Sequence, residues 1–301
     1  MKRAFVTGAS GFIGAAVVRE LLSRRIAVAV LRRRPEIGQR LIPMQDQVTF
    51  LSASDDSGLP DADTLREWRP DTVFHLGWAG VGSAQRNDAA IQLENVQAAA
   101  RLAETCVAAG VQHLIGAGSQ AEYGPKQAEI LETDCPAPTT LYGAAKLSAC
   151  LLTQRICELN GVSHAWLRIF STYGPGDNPD WMIPSLIRQL RAGQRPQLTA
   201  AEQLWDYLHV NDAAAAFVAV GESRATGIFN LASGEVVPLR TVIELIRDAV
   251  NPKAELGFGE IPYRPDQVMR LQGNITRLTT ATRWHPQIPL DHGLQQLATH
   301  P

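Results

Sequence analysis

Tyr142 and Lys146 have the residue types and the spacing that proton transfer requires. They stand four residues apart, and the alanines and leucines around them favour a helix, on which such residues share one face. A phenol has a pKa of about 10, so moving it toward 7 takes about 4 kcal/mol of differential stabilisation. An ammonium group one helical turn away supplies part of that energy. The pair therefore predicts acid–base chemistry at Tyr142.

A serine after a predicted strand complements this pair. Residues 112–117 form an apolar run that predicts a buried strand, and Ser119 follows it. The carboxyl ends of parallel strands are where α/β proteins place their reactive groups. We expect Ser119 to hydrogen-bond a substrate carbonyl while Tyr142 exchanges the proton.

A glycine-rich loop links the first predicted strand, residues 3–7, to a predicted helix at 15–24. In such a loop Gly8 permits a tight turn, Gly11 lets the backbone approach a pyrophosphate, and Gly14 allows the helix to pack closely on the strand. The helix N-terminus then faces the anion. The residues predicted to bind this part of a dinucleotide are Gly8, Ser10, Gly11, Phe12, Ile13 and Gly14.

Arginines follow the second predicted strand, residues 26–31. NAD-preferring sites carry a carboxylate at this point for the ribose hydroxyls, whereas arginine suits a 2'-phosphate. The pattern favours NADP(H), held by Arg32 and Arg33. NAD and a merely solvated basic loop remain the alternatives.

Two later strands also lead toward the predicted cofactor. The third, residues 48–51, precedes a polar stretch at 52–57 that we expect near the adenine. The fourth, which begins at residue 71, leads through Leu76, Gly77 and Trp78 into a small-residue loop at 79–83, expected on the other face of the cofactor. His75 lies within the apolar part of this strand and is predicted to be a hydrogen-bonded core histidine.

Composition narrows the class of protein. The chain has 301 residues, 45% of them hydrophobic, and a formal net charge of -2, which indicates an ordinary globular protein without a nucleic-acid surface. No apolar run approaches the roughly 20 residues of a membrane span, so we expect no membrane association and a cytoplasmic location. The four cysteines lack metal-binding spacing and are predicted to be reduced and structural, with no metal site.

Further motifs follow in an order that is similar to one known family. Together with the glycine loop, Ser119, Tyr142 and Lys146, they make the chain resemble the NAD(P)-dependent nucleotide-sugar epimerase/dehydratase family of extended short-chain dehydrogenases/reductases. The later motifs are residues 167–176, 205–212, 229–234, 263–265 and 283–286.

The resemblance implies a fold and an assembly. The fold is α/β, with a Rossmann-type doubly wound parallel sheet and a smaller mixed C-terminal lobe. Residues 1–170 and about 206–232 would form the NAD(P)-binding domain, and about 171–205 and 233–301 the substrate-binding lobe. The helices predicted at 88–109 and 141–159 would pair across a two-fold axis in a homodimer.

The resemblance also implies roles for individual residues. Tyr142 would be the general acid/base, Lys146 would hold the nicotinamide ribose and lower the tyrosine pKa, and Ser119 would polarise the C4 oxygen. Arg264 would grip the diphosphate of a nucleotide-sugar substrate, a bidentate task that suits arginine.

Departures from the family pattern narrow the reaction. Gln120 and Ala121 stand where the 4,6-dehydratases carry Asp-Glu, so dehydration is disfavoured, and Gln120 replaces the cysteine of the GDP-fucose-forming enzymes. Ser171 stands in place of a usual asparagine, and Trp205 in place of a diphosphate-binding arginine. We expect Gln120 and Ser171 to contact the substrate. The changes at Ser171 and Trp205 leave the identity of its nucleotide open.

Two enzymatic functions remain. The arginines after the second strand favour an NADPH-dependent 4-ketoreductase of a nucleotide-linked 4-keto-6-deoxyhexose over a 4-epimerase with tightly bound NAD. A non-catalytic dinucleotide-binding regulator is a remote alternative, because such a protein would typically have lost the tyrosine or the lysine.

Overall fold

A seven-stranded parallel sheet forms the centre of the computed structural model, which describes residues 1–32, 36–53, 58–82, 85–265 and 267–299. Its strand order is β10-β6-β5-β4-β1-β2-β3, and every neighbouring pair is parallel. The predicted Rossmann-type α/β fold is therefore confirmed. The strands of this sheet are β1 Arg3–Thr7, β2 Ala27–Arg32, β3 Val48–Ser52, β4 Thr72–His75, β5 His113–Ser119, β6 Ser163–Ile169 and β10 Gly227–Leu231.

Helices cover both faces of the sheet, because successive strand side chains point to opposite sides. Ala4 and Val6 of β1 belong to a core cluster that includes α1 and α6, whereas Phe5 between them packs in a second cluster with α2 and α3. The helices around the sheet are α1 Phe12–Ser23, α2 Ala62–Trp68, α3 Ala89–Ala109, α4 Leu141–Leu159, α6 Val210–Ser223 and α8 Thr276–Thr282.

Side-chain caps fix where the two long helices begin. Asp88 Oδ1 accepts the N–H of Ile91 at the start of α3, and Thr140 Oγ1 accepts the N–H of Gly143 at 3.1 Å at the start of α4. Such caps satisfy N–H groups that have no partner within the helix. The cap at Thr140 places Tyr142 in the first turn of α4.

The C-terminal part adds a further hydrophobic cluster. Leu186, Val242 and Leu294 are buried in it, one from each of three helices. Tyr207, which the predicted division assigns to the first domain, also packs in this cluster. The division into two domains stays a prediction. The remaining elements are β7 Ser171–Tyr173, α5 Met182–Arg191, β8 Leu204–Trp205, β9 Tyr207–His209, β11 Val237–Pro238, α7 Leu239–Val250, β12 Arg270–Leu271 and α9 Leu290–Thr299.

Asp206, which lies between β8 and β9, ties the loop after β10 to these strands. Its carboxylate is fully buried, and it accepts the Ser233 N–H and hydroxyl, each at 2.7 Å, and the Gly234 N–H at 2.9 Å. The N–H of Asp206 itself donates to the Leu271 carbonyl at 2.9 Å. Buried carboxylates need such donors, so Asp206 holds these three segments together.

Some predicted boundaries were wrong. Helix α1 begins at Phe12, not at residue 15, because Gly11 is its N-cap. Strand β5 continues to Ser119, two residues beyond the predicted end, since its register with β6 extends to the Ser119–Ile169 pair.

Other predictions concern the cysteines and His75. All four cysteines are free thiols, and Cys106, Cys150 and Cys157 are buried, as a structural role requires. His75 is buried and its Nδ1 lies 2.8 Å from the hydroxyl of Thr7, so it is the hydrogen-bonded core histidine that was expected. In the part of the chain that the structure describes, no helix has the length and apolarity needed to cross a bilayer.

Candidate active site

The carboxyl ends of three adjacent strands bring the predicted site residues to one edge of the sheet. Gly8 follows β1, Trp78 lies just beyond β4, and Ser119 ends β5, and these strands are neighbours in the order β5-β4-β1. This is the edge at which parallel α/β sheets bind ligands.

The glycine loop is tightly packed against its surroundings. Gly8 has φ +70°, and a Cβ there would lie 2.5 Å from the backbone nitrogen of Gly77. A Cβ on Gly14 would lie 2.1 Å from the carbonyl oxygen of Gly8, so the close helix–strand packing predicted for Gly14 is present. A Cβ on Gly11 would lie 3.1 Å from the same oxygen.

The start of α1 fits the pyrophosphate of a dinucleotide. Its N-cap is Gly11, no side chain caps the helix, and no acidic residue stands in its first turn. Backbone N–H groups at such a helix start are donors for an anion. Ser10, Phe12 and Ile13 flank these groups, and Ser10 is exposed.

Two arginines, Arg32 and Arg40, lie beside segments of the predicted cofactor site. Arg32 is the exposed last residue of β2, with its guanidinium carbon 5.6 Å from the centroid of the Phe50 ring. Arg33 and residues 54–57, which were predicted near the cofactor, lie outside the described residues. Arg40 donates through Nε to the Gly176 carbonyl at 2.8 Å and through Nη1 to the Ser10 carbonyl at 3.4 Å.

Ser119 is held by a reciprocal capping box. Its Oγ accepts the N–H of Ala121 at 3.2 Å, and its own N–H donates to Glu122 Oε1 at 2.9 Å. Residues 120–122 form a short 3-10 helix, which turns the chain sharply after β5. Ser119 therefore stands at a fixed position at the end of β5.

Glu122 is the buried centre of a polar network. Its Oε1 also accepts Trp166 Nε1–H at 2.9 Å, and its Oε2 accepts Arg168 Nε–H at 2.6 Å. The guanidinium carbon of Arg168 lies 4.3 Å from the ring centroid of Tyr123, whose hydroxyl donates to Asn230 at 2.7 Å. These contacts connect the serine to β6 and β10.

The pKa of Tyr142 reflects opposing influences. Burial raises it, a hydrogen bond with Ser119 and the positive charge of Arg86 lower it, and the carboxylate of Glu122 raises it again. The net direction is upward. That Lys146 lowers this pKa stays a prediction.

Lys146 is buried against carbonyl and aromatic groups. Its Nζ donates to the Ala117 carbonyl at 2.6 Å and lies 3.8 Å from the ring centroid of Trp78. The ring centroid of Tyr142 is 5.9 Å from this nitrogen. Burial lowers the pKa of Lys146 to about 7, against the opposing effect of Glu122.

Trp78 is locked in place over the lysine. Its Nε1–H donates to Gln92 Oε1 at 3.0 Å, and Gln92, itself buried, donates to the carbonyl groups of Gly80 and Gln85. The indole meets the Tyr142 ring edge to face, with centroids 6.2 Å apart. Leu76 and Gly77 precede Trp78, and Gly77 donates to the Thr7 hydroxyl at 3.3 Å.

The predicted substrate residues lie on separate segments. Gln120 begins the 3-10 helix and is half-buried, and Ser171 begins β7 opposite Tyr207 of β9. Arg264 is exposed, and its carbonyl accepts the N–H of Gln267 at 3.0 Å. The contacts that join Ser119, Tyr142 and Lys146 do not include Arg264.

Sequence analysis missed two charged residues of the site. Glu122 carries a recognisable signal, since Ser119 and Glu122 have the Ser-x-x-Glu spacing of a capping box. Arg86 carries none, because its contact with Tyr142 joins two distant segments.

The parallel sheet with a glycine-rich turn after its first strand defines a Rossmann-fold dinucleotide-binding protein. The model of the NAD dependent epimerase/dehydratase family matches residues 4–232, and the chain belongs to this family. It is thus an NAD(P)-dependent enzyme of the extended short-chain dehydrogenase/reductase type, and the resemblance of its motifs to that family is confirmed.

Relatives cover almost the whole chain. A Bacillus subtilis protein named as an uncharacterized UDP-glucose epimerase is 29% identical, over 96% of this chain and 94% of its own. The dTDP-4-dehydro-6-deoxyglucose reductase of Escherichia coli is 27% identical, over 97% and 95%. The structure of the Thermus thermophilus UDP-glucose 4-epimerase with NAD superposes with a TM-score of 0.85 at 26% identity, covering 99% of this chain and 98% of that one.

Proposed function

We propose that the protein is an NADPH-dependent 4-ketoreductase of a nucleotide-linked 4-keto-6-deoxyhexose. The observation that carries the choice of cofactor is Arg32, which ends β2 at the point where an NAD site would have a carboxylate. The donors of an arginine side chain suit a 2'-phosphate, with Arg33 as the second proposed contact. The similarity to the Escherichia coli reductase supports the choice of substrate class.

The cofactor would lie along the carboxyl edge of the sheet. The start of α1 would hold the pyrophosphate, Leu76, Gly77 and Trp78 would contact its other face, and Lys146 would hold the nicotinamide ribose. When bound, the reduced nicotinamide would supply the hydride that C4 receives.

The chain's own residues would supply the proton. The hydroxyl of Ser119 would donate a hydrogen bond to the C4 carbonyl oxygen and so favour the charge that develops there. As the carbon accepts the hydride, the carbon–oxygen π pair moves to the oxygen, and Tyr142 gives its proton to that oxygen. The products are the C4 alcohol and the Tyr142 phenolate, which regains a proton from solvent.

The substrate contacts follow the same proposal. Gln120 and Ser171 would border the sugar, and Arg264 would grip the diphosphate with its two parallel N–H donors. Arg264 is exposed and therefore accessible to a negatively charged ligand.

A nucleotide-sugar 4-epimerase with tightly bound NAD is the second candidate. The named activities of the Bacillus and Thermus relatives favour it. Tyr142, as the phenolate, would then remove the proton of the C4 hydroxyl while C4 gives up its hydride to the bound NAD, and Ser119 would hydrogen-bond the oxygen. After the keto sugar has rotated, the hydride would return to the opposite face of C4 and Tyr142 would return the proton.

The homodimer is part of the proposal. Leu93 of α3 and Leu151, Leu152 and Leu159 of α4 are between 46% and 68% exposed. Exposed leucines concentrated on two adjacent helices are typical of a surface that a second copy covers.

Absorbance of NADPH tests the proposed reaction. Purified protein would be mixed with 4-keto-6-deoxyhexoses linked to dTDP, GDP, CDP or UDP, and we expect stoichiometric loss of NADPH with one of them. No loss with any of them, together with NAD released on denaturation, would refute the reductase and favour the epimerase.

Substitution of the proposed acid tests the residue assignment. Tyr142→Phe should lower kcat by about 100-fold or more, the usual contribution of a general acid. Circular dichroism of Tyr142→Phe is the control, because the substitution removes only the hydroxyl and should leave the fold intact. Turnover that persists unchanged in Tyr142→Phe would show that Tyr142 is not the acid.

A further inference from the structure

Arg86 is fixed against Tyr142 by the backbone of both residues. The N–H of Tyr142 donates to the Arg86 carbonyl at 2.9 Å, and the N–H of Leu141 donates to the side-chain oxygen of Asn87 at 3.0 Å. The loop that contains Arg86 thus satisfies two N–H groups at the start of α4, where a helix has no partners of its own. The guanidinium carbon of Arg86 lies 4.7 Å from the centroid of the Tyr142 ring.

The guanidinium has an unused donor. Arg86 Nε is buried, and none of the described residues accepts a hydrogen bond from it. A buried N–H without an acceptor costs free energy, and such groups in native proteins call for a reason. Capping of α4 does not explain the buried Nε–H. The N–H groups at the start of α4 bond to the backbone carbonyl of Arg86 and to the side chain of Asn87, so the guanidinium takes no part in the cap.

Among the residues that the structure describes, four groups that can carry or share a proton lie around Tyr142. Ser119 approaches from β5, Glu122 from the 3-10 helix, Lys146 from α4 itself and Arg86 from the loop. Glu122 opposes the phenolate, whereas Arg86 and Ser119 favour it.

The two cations differ in how constant their charge is. Lys146 is buried beside Trp78 and the Ala117 carbonyl, and its pKa is lowered to about 7, so its charge varies near neutral pH. An arginine stays protonated throughout the physiological range. The cation whose charge does not vary at this site is therefore Arg86.

We propose that Arg86 is a positioning residue whose permanent charge stabilises the Tyr142 phenolate that forms when the phenol gives up its proton. The inference rests on the proposed role of Tyr142 as the acid. The motif alone assigns stabilisation of the phenolate to Lys146. In this proposal, Arg86 provides part of that stabilisation from the loop.

Direct titration of the phenol tests the proposal without any substrate. Tyrosine would be isotopically labelled at Cζ, the ring carbon that bears the hydroxyl, and the protein would be titrated by NMR. The Tyr142 signal would be identified by its loss in Tyr142→Phe. In Arg86→Met we expect the titration midpoint to move up by about one pH unit or more, the effect of removing a nearby opposite charge. Arg86→Lys should keep most of the original midpoint.

Matched variants separate charge from structure. Arg240→Met is the control, because Arg240 lies over the Phe258 ring at 3.9 Å in a different region. It should leave the Tyr142 midpoint unchanged. If Arg86→Met does not fold, as judged by circular dichroism, Arg86→Gln removes the same charge with a side chain that can still hydrogen-bond.

Turnover provides the second readout. With the keto sugar identified by the NADPH assay, Arg86→Met should lower kcat about tenfold with little change in KM, and the alkaline limb of its pH profile should move upward. An unchanged Tyr142 midpoint in folded Arg86→Met and Arg86→Gln would overturn the inference even if the reductase assay succeeds. A shifted midpoint without turnover by the unsubstituted protein would support the inference and refute the reductase.

Discussion

Arg168 and Glu122 form an ion pair that is sealed inside the protein. Nε of the arginine lies 2.6 Å from Oε2 of the glutamate, and the two side chains are 2% and 0% exposed. Glu122 also accepts the N–H of Ser119, so the pair supports the residue proposed to bind the substrate carbonyl.

Glu122→Gln should destabilise the protein by about 3 kcal/mol or more, because it leaves the Arg168 guanidinium buried without its counter-charge. Urea unfolding would measure the change. Glu222→Gln is the control: its carboxylate pairs with Arg24 at 2.5 Å, but both side chains are more than a third exposed, so the loss should stay below about 1 kcal/mol. Equal losses in the two variants would contradict this view of the buried pair.

Gly14→Ala should weaken both folding and dinucleotide binding. The added Cβ would lie 2.1 Å from the Gly8 carbonyl oxygen, so α1 must shift away from the turn. We expect a loss of about 1–3 kcal/mol in unfolding free energy and a higher Kd for NADPH by fluorescence titration. Gly11→Ala, with 3.1 Å to the same oxygen, should cost less stability; the opposite order would contradict the packing argument.

His164 should make stability depend on pH. Burial lowers its pKa to about 4, from a reference near 6.5, and its Nε2 lies 3.0 Å from the Thr153 hydroxyl. Between these values the unfolded chain binds more protons than the folded one, so stability is lost as pH falls from about 6.5 toward 4.

His164→Gln should remove that contribution. Between pH 7 and 5, its unfolding free energy should fall by about 2 kcal/mol less than that of the unsubstituted protein. Urea titrations at several pH values would give both slopes, with the exposed His285→Gln as the control. Parallel curves for the protein and His164→Gln would mean that His164 is protonated in the folded state as readily as in the unfolded one.

The exposed leucines of α4 allow the proposed homodimer to be tested. Leu151→Asp combined with Leu152→Asp places two charges on a surface that a partner would bury, so the protein should become monomeric. Light scattering after size-exclusion chromatography would report the mass. Leu131→Asp, at a 44% exposed position outside these helices, should leave the mass unchanged. A monomeric unsubstituted protein would refute the dimer.

The sequence was sufficient to predict the elements with strong local signals. The glycine loop, Ser119 and the segment from Tyr142 to Lys146 each follow or begin an element whose apolar pattern is clear, and parallel strands bring their carboxyl ends to one edge. The fold class followed from the family that these motifs resemble. Helix α4 has the bounds that were predicted for it, 141–159.

Tertiary contacts explain what could not be predicted. Leu141 and Asn87 are 54 positions apart, and no local pattern reports that the loop around Arg86 would cap α4. The burial that lowers the pKa of Lys146 depends on Trp78, which the segment after β4 contributes. The partners of Glu122 on β6 could not be predicted for the same reason. Its place in a capping box could have been predicted from the local spacing.

Asp206 has a consequence for the chain as it leaves the ribosome. Two of its partners, Ser233 and Gly234, are synthesised 27 and 28 residues later, and the Leu271 carbonyl that accepts its N–H comes later still. Until Leu271 has emerged, the N–H of Asp206 lacks the acceptor that it has in the folded protein. The region around Asp206 therefore closes late in biosynthesis, and the last quarter of the chain is needed to complete it.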